Sequence, residues 1–588
     1  MQNEMRKPKV IAMILEEISS EFSKELIQSA VNAIPAKENV RLVALVGKYI
    51  DRANDLESFQ SYKKIYNSVF RLDELCHIDG MIIHLGSMSK RRKKVIKTGY
   101  SEQFQRIPKV FIASDIEGET VINYDNESGI REAVDCLVNV EGLTKFCMLG
   151  GRDDNFDARS RKQIFIRSLS ENNISFSDKN YQKTDMSDAS EAEAEKLLSK
   201  NPDVQAIFCV NDAAAKGLYA AMKKRELIPG KDIFVFGFDN THMAGEIFPT
   251  LSSIGADHCT LGQKALEVLL DKMNGKETAS AFVPTRLYGR ESFHYEMYDY
   301  TTLEMIQMDS SFIYRMFDDC LYRYRNTYFD REAVNLRRLF YEYISRMLLC
   351  MKQRYMSAEE YQNISRMIDI FFEKGAMKYT DATKLLQSID RLQNSMNTIL
   401  KRSASNSMIN RLFSRMKDKI ICSLEEQRIK ENNAMLQYQK KLQDFIIICS
   451  AQKYSSAKNS DRIFRNINKL GVENAAVYLF NLPLKYDPSR RINFPEKICL
   501  RCVVRSGEVY LLPEERRQIF LREMFTRNEL PMKCRGYAVF PLFYTDLIYG
   551  FLLCELTNDI YKRGEYIAME LGNAAYLEQK SKTLPVHS

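Results

Sequence analysis

From Pro8 to about Phe293, short apolar runs alternate with amphipathic ones, and this alternation narrows the fold more than any other feature. VIAMILEE, RLVALVGKYI, DGMIIHLG, KVFIAS, KFCMLGG, AIFCV and IFVFGF each read as a strand. Between them lie stretches with apolar residues at helical spacing, such as FSKELIQSAVNAI, SGIREAVDCLVNV and AAAKGLYAAMKKREL. Strands alternating with helices predict parallel α/β units, whose ligands sit beyond the carboxyl ends of the strands.

The character changes from about Tyr300 to Gln443. Gly and Pro almost vanish, and SRMLLCMKQRYMSAEEYQNISRMIDIFFEKG is typical of a set of helices. Near the end of this region Met435, Tyr438, Leu442 and Phe445 follow a 3-4 spacing. The same register meets Arg428 and Glu431 further back, so any coiled coil is short. Two readings stay open for the stripe: a seam between two copies, or packing on the chain's own helices. From about Asp444 to Glu578 strands return in AAVYLFN, CLRCVVRSGEVYLL, GYAVFPLFYTD and IYGFLLCELT, followed by the amphipathic run GEYIAMELGNAAYLEQ. That order predicts an α+β unit. The boundaries expected are residues 1–295, 296–443 and 444–580, with a tail at 581–588.

At 588 residues the chain has room for several domains. Lys plus Arg is 85 and Asp plus Glu is 77, a net charge of +8, which is small at this length. A dedicated nucleic-acid binder would carry a dominant basic patch. The run KRRKK, Lys90 to Lys94, reads as a solvated helix face. No stretch of about 18 apolar residues predicts a membrane span, and the N-terminus does not read as a signal peptide, so a cytoplasmic location is expected. The 13 cysteines and six histidines do not cluster at ligand spacing. Reduced structural thiols, no metal and no cofactor are expected. The acidic pair Asp318 and Asp319 reads as a solvated helix face without an evident partner.

Several spaced segments, in order, carry a resemblance. They are ILEEISSEFSKELIQSA, DGMII, VINYDNESGIREAVDCL, FDARSRKQIF, CVNDAAAKGLYAAMKKREL with IPGKDIFVFGFDNT, LSSIGADHCTLGQKALEVLL and RLYGRES. Together they resemble the effector-binding core of the LacI/GalR repressor family, which shares the fold of periplasmic sugar-binding proteins. The resemblance covers about 285 residues. The last part resembles a GAF-like domain on the segment GYAVFPLFYTDLIYGFLLCEL. The fold class implied is α/β: a two-lobed periplasmic-binding-protein-like (type I) core, then an all-α segment and an α+β GAF-like domain.

The resemblance implies a set of ligand-binding residues. Asn211 and Asp239 match the family's strand-end Asn and its Asp of the G-x-D motif. Arg159 stands in the segment that supplies a ligand-contacting Arg, Phe22 lies in the pocket-edge loop, and Asp115 follows a strand. Asn offers donor and acceptor, ionised Asp accepts, and Arg donates in a planar fork, which suits a ligand rich in hydroxyls. Each position also has a plainer reading, because Asn and Asp at strand ends cap the next helix. Asp125, Asn126 and Asp212 are read that way.

The sequence departs from the family at Ile164, where a Gly is usual, and at Ala256, where a polar residue is expected. The family's DNA-binding headpiece is missing, so no direct sequence-specific DNA binding is expected. GGRDDNF, from Gly150 to Phe156, superficially resembles the signature of diguanylate cyclases but lacks the acid directly after the glycines, and it reads as a loop. The function implied is a non-enzymatic, cytoplasmic sensor of transcription-regulator type. It would bind a polar small molecule, a sugar or related metabolite, and pass lobe closure to an output or a separate output protein. A homodimer is expected, as the family's cores pair through their N-terminal lobes. Two other readings stand beside it: the sensory portion of a diguanylate cyclase signalling protein, and a simple ligand-binding protein.

Overall fold

The computed structural model describes the chain apart from residues 1–6, 37, 51–55, 99–101, 257–259, 294–298, 325–334, 401–404, 451–463, 488–489, 531–533 and 584–588. The first half forms two α/β lobes. Strands β1 (Lys9–Glu16), β2 (Val40–Gly47), β3 (Gly80–His84), β4 (Lys109–Ile112) and β5 (Val121–Tyr124) make the first lobe. Strands β6 (Phe146–Gly150), β7 (Tyr181–Lys183), β8 (Ala206–Cys209), β9 (Phe234–Phe238) and β10 (Ser252–Ala256) make the second. Then β11 (Ala281–Val283) returns to the first sheet and β12 (Thr285–Tyr288) to the second. β1, β2 and β3 are buried on both faces, which is why they read as continuous apolar runs rather than alternating ones.

The second sheet runs β12-β10-β9-β8-β6-β7, parallel except where β12 meets β10. Among the described residues the chain crosses between the lobes beside Asp125 and between Val283 and Thr285. Thr285 donates its hydroxyl to the Asp125 carbonyl at 2.6 Å, tying these crossings together.

Helices Thr302–Gln307, Ser310–Cys320, Leu336–Gln353, Ala358–Glu373, Ala382–Leu400 and the first turns of Ser405–Ser450 form a bundle with its own apolar core. Phe317, Phe340, Phe371 and Phe413 lie at its centre. The expected boundary between residues 443 and 444 falls inside the long helix Ser405–Ser450, which leaves the bundle and runs into the last unit. The acidic pair is solvent-exposed as expected, but each member has a partner. Asp319 meets Arg286 of β12 at 3.0 Å, and Asp318 meets Arg337 at 2.6 Å.

The last unit contains β13 (Ala475–Lys485), β14 (Lys497–Arg505), β15 (Glu508–Leu511), β16 (Gln518–Phe520), β17 (Gly536–Tyr544) and β18 (Leu547–Glu555). The helix Asn558–Thr583 packs on the β17–β18 hairpin. Gly550 of β18 has φ +154°, and a Cβ there would lie 1.9 Å from the Tyr478 carbonyl of β13, so only glycine fits this crossing.

This sheet is not separate. β17 pairs in parallel with β2, Gly536 to Val539 against Leu42 to Leu45, so one 12-stranded sheet runs β11-β5-β4-β3-β1-β2-β17-β18-β13-β14-β15, with β16 on β14. One apolar core is continuous through the first half of the chain and the last unit. Arg41 of β2 is buried at this junction and donates to the carbonyls of Phe525 at 2.5 Å and Arg527 at 3.2 Å. Arg535 donates to the Ile34 and Ala36 carbonyls at 2.7 and 3.1 Å.

The 3-4 stripe of the long helix is covered by this same unit. Phe445 is fully buried in its core, Leu442 packs against it, and Tyr438 lies under the Arg563 guanidinium at 3.6 Å. Among the described residues no helix is long and apolar enough to cross a membrane.

Candidate functional site

The two lobes face each other across a cleft of 540 Å³. Its walls come from the carboxyl ends of parallel strands, as such sheets dictate. The first lobe supplies Glu16 and Glu17 at the end of β1, Phe22 on the helix that follows, Tyr49 after β2, and His84, Gly86 and Ser87 at the end of β3. The second supplies Arg152 and Asn155 after β6, Arg161 from helix Phe156–Glu171, Asp185 to Asp188 after β7, Asn211 after β8, and Asp239 and Thr241 after β9.

Arg161 is the best-held group on the second wall. Its guanidinium donates to Asn126 Oδ1 at 3.0 Å, to the Val210 carbonyl at 2.7 Å and to Asp239 Oδ1 at 3.3 Å. It also lies 3.5 Å from the Phe238 ring centre, a cation–π contact that fixes the plane of the fork. Asn126 in turn donates to Asp157 at 3.1 Å. Asp239 stands at φ +99°, in the left-handed region that side chains avoid. Burial pushes its carboxyl up to about 7; Arg161 opposes this, and the carboxylates of Asp212 and Asp157 add to it.

Asn211 does two structural jobs while facing the cleft. Its Oδ1 accepts from Ala214 N at 2.9 Å, capping helix Asp212–Lys224, and its Nδ2 donates to the Met186 carbonyl at 3.0 Å. Asp212 is not the cap. It is buried, accepts from Thr241 N and Oγ1 and from Ser253 Oγ, and burial lifts it to about 6. Phe22 lies with its ring centre 5.3 Å from that of His84. Burial, with Lys93 and Arg152 nearby, pushes His84 down to about 3 and keeps its imidazole neutral. Glu16, deeper in the same wall, is lifted to about 8 by burial even though Ser89 donates to it.

Two expected residues are not on the cleft wall. Arg159 points outward and pairs with Asp115 at 2.6 Å, with both side chains about 40% exposed (39% and 44%). The helix explains the difference. Ala158, Arg161, Phe165 and Leu169 share its buried face, and Arg159 lies one residue off that stripe. The sequence signal was present, since Arg161 falls on the 3-4 spacing of the apolar residues. The Arg159–Asp115 pair still crosses from one lobe to the other.

Other bridges join the lobes nearby. The GGRDDNF loop holds three of them: Arg152 and Asn155 donate to the Gly86 carbonyl at 3.1 and 3.0 Å, and Asp154 pairs with Lys93 at 2.7 Å. The KRRKK run is therefore not a uniformly solvated face, because Lys93 is buried in this bridge and Arg92 pairs with buried Asp73 at 2.9 Å. On the opposite rim Glu21 accepts from Met243 N at 2.9 Å.

Comparison with known proteins agrees with this architecture. The periplasmic binding protein-like domain family matches residues 135–293. The HTH-type transcriptional repressor PurR of Vibrio vulnificus is 26% identical over 204 residues, 34% of this chain and 59% of that protein. Residues 135–293 are thus similar to a periplasmic binding protein-like domain of the kind that LacI/GalR-type repressors use to bind effectors. A second relative of this domain is the HTH-type transcriptional regulator IdnR of Escherichia coli, 24% identical over the same length and shares. The chain thus spans less than two thirds of the curated relatives it matches. Among solved structures, the lac repressor dimer bound to operator is 20% identical, covers 49% of this chain and 95% of its own, and has a TM-score of 0.39.

Proposed function

We propose that the chain is a non-enzymatic sensor of a small polar metabolite, sugar-like in its chemistry, that works as a regulator by lobe closure. The cleft carries this reading. Its second wall presents Arg161 and Asp239 and its first presents Phe22, His84 and Ser87. A ligand touching both walls binds the closed arrangement better than the open one, and only that difference can shift the equilibrium. Donors and acceptors in a half-apolar cleft suit hydroxyl groups. The names of the PurR and IdnR relatives support a regulatory role.

The lobes are tied to different bodies, which gives closure a readout. The second lobe is joined to the helical bundle through Arg290 and Asp381, and the first shares its sheet with the last unit. Closure therefore changes how the bundle and the last unit sit relative to each other, and the long helix runs between them. We read the last unit as GAF-like, receiving that change or passing it to a separate output protein, and the whole as a homodimer.

A thermal-shift screen of sugars, nucleosides and nucleobases tests the reading. A ligand at 100 times its Kd stabilises a folded protein by about 2.7 kcal/mol, so a clear rise in Tm is expected for one class, and Asp239→Ala should diminish it. A rise that survives loss of both Asp239 and Arg161 would place the ligand elsewhere.

A further inference from the structure

One ammonium is shared by two carboxylates between the cleft and the last helix. β1 and β2 are parallel in a register that pairs Glu16 with Gly47, so Glu17 and Lys48 leave the strand ends side by side. Glu17 N donates to the Gly47 carbonyl at 3.0 Å. Glu17 stands at φ +66°, a conformation that residues with side chains rarely adopt, and it lines the cleft. Its Oε1 accepts from Tyr49 N at 3.1 Å and its Oε2 from Lys48 Nζ at 3.4 Å. The same Lys48 Nζ pairs with Glu565 in the second turn of helix Asn558–Thr583. Tyr62 donates to Glu565 Oε1 at 2.8 Å from the other side. The Lys48 side chain is 10% exposed, so salt screens these pairs less than it does surface ones.

A lysine so placed divides one charge between two anions, and whatever satisfies one of them strengthens its hold on the other. We propose that Lys48 couples the cleft to the last helix: a ligand that satisfies Glu17 releases the ammonium to Glu565 and tightens that helix on the first lobe. The regulatory meaning rests on the cleft being a ligand site; the coupling itself does not.

Hydrogen exchange on the full chain measures it without a ligand. Glu17→Gln stands in for a satisfied Glu17. It should slow exchange in the segment 558–570 by about two- to fivefold, the range of a single partly exposed ion pair. Lys48→Met should speed exchange there by a similar factor, and Glu17→Gln should add nothing in the Lys48→Met background. The reverse reading is available should Glu17→Gln fold poorly, because coupling is reciprocal: Glu565→Gln should slow exchange in the segment 16–23. The proposal is overturned if Glu17→Gln leaves the last helix unchanged or acts equally with Lys48 removed, and likewise if Glu565→Gln leaves 16–23 unchanged. A positive cycle in a protein whose cleft binds none of the screened compounds counts against the sensor reading and leaves the coupling standing.

Discussion

Arg290 Nε lies 3.1 Å from Asp381 Oδ2, and both side chains are almost wholly buried. The same guanidinium donates to Asn240 at 2.7 Å, to the Leu251 carbonyl at 2.9 Å and to Tyr322 at 2.9 Å, and Tyr322 donates to Asp381 at 3.0 Å. No buried polar side-chain atom of this cluster is left without a hydrogen-bond partner, so it costs little as built and much when broken.

Asp381→Ala should therefore destabilise the chain by about 3–5 kcal/mol, the usual cost of leaving one member of a buried ion pair alone. Urea unfolding would show it. Burial works against ionised Asp381, but Arg290 and the Lys384 backbone N–H hold its carboxyl below the usual range. A depressed folded-state value gives stability that is present above the unfolded value near pH 4 and is lost as pH falls below it. Asp381→Asn should remove that part of the acid-side loss.

The cleft predicts the opposite slope on the alkaline side. Burial lifts Asp212, Asp239 and Glu16 to about 6, 7 and 8. Groups raised on folding contribute stability at low pH that is lost as pH rises through their folded values. His84 and His242, pushed down to about 3 and 4 by burial, act in the other sense, and only below their unfolded value near 6.5. Between pH 6.5 and 8 the carboxyls outweigh the tail of the histidine titration, and stability should fall by on the order of 2 kcal/mol. Calorimetry across that window checks this, and Asp239→Asn should flatten the lower part of the slope.

Arg161 and Arg159 separate a held cleft group from an exposed pair. Arg161→Lys keeps the charge but loses the fork. Its effect on the compound returned by the thermal-shift screen should be a ten- to hundredfold weaker Kd, about 1.5–3 kcal/mol. Arg159→Ala breaks the half-exposed bridge to Asp115 and an exposed bond to the Asp153 carbonyl, and should change affinity by less than about fivefold. Isothermal titration of both variants decides. Equal losses would mean that the bridge, and not the fork, governs closure.

The alternation of strand and helix made the two-lobed architecture legible, because burial on both sheet faces writes a continuous apolar run into every central strand. Phe22, Asn211 and Asp239 are what the family resemblance implies, and all three line the cleft; for Asn211 and Asp239 the placement also follows from strand ends of parallel sheets facing that side. The motif segment points to Arg159, whereas the helical phase of Ala158, Phe165 and Leu169 points to Arg161. The pairing of β2 with β17 left no local signal. Its strands lie about 490 residues apart, each looks like any buried strand, and the register is set by tertiary contacts such as those of Arg41.

That junction is itself open to test. Arg41→Met keeps the apolar stem and leaves the Phe525 and Arg527 carbonyls without their donor. One buried and one part-buried acceptor left without their donor cost about 1–4 kcal/mol together. The loss should loosen the last unit from the first lobe, so calorimetry should show a broadened or split transition where the parent chain shows a joint one. An unsplit transition at lower Tm would mean that the strand pairing alone holds the two together.

The long helix makes the final case. Its 3-4 stripe reads as a seam between two copies when only the sequence is considered, because one helix cannot bury such a stripe alone. In the folded chain Phe445 is fully buried, Leu442 packs beside it against the last unit, and Arg563 covers Tyr438. Only Met435 of the four keeps half its surface exposed, at 50%. Leu442→Glu therefore places a carboxylate at an intramolecular contact. It should lower the Tm, by an amount set by a half-buried rather than a fully buried position, at roughly 1–3 kcal/mol. It should leave the mass measured by light scattering unchanged at micromolar concentration, whatever that mass is in the parent chain. A variant that keeps its Tm and loses a dimer would return the stripe to the role of a seam, and the packing of Leu442 on its own chain would then be secondary.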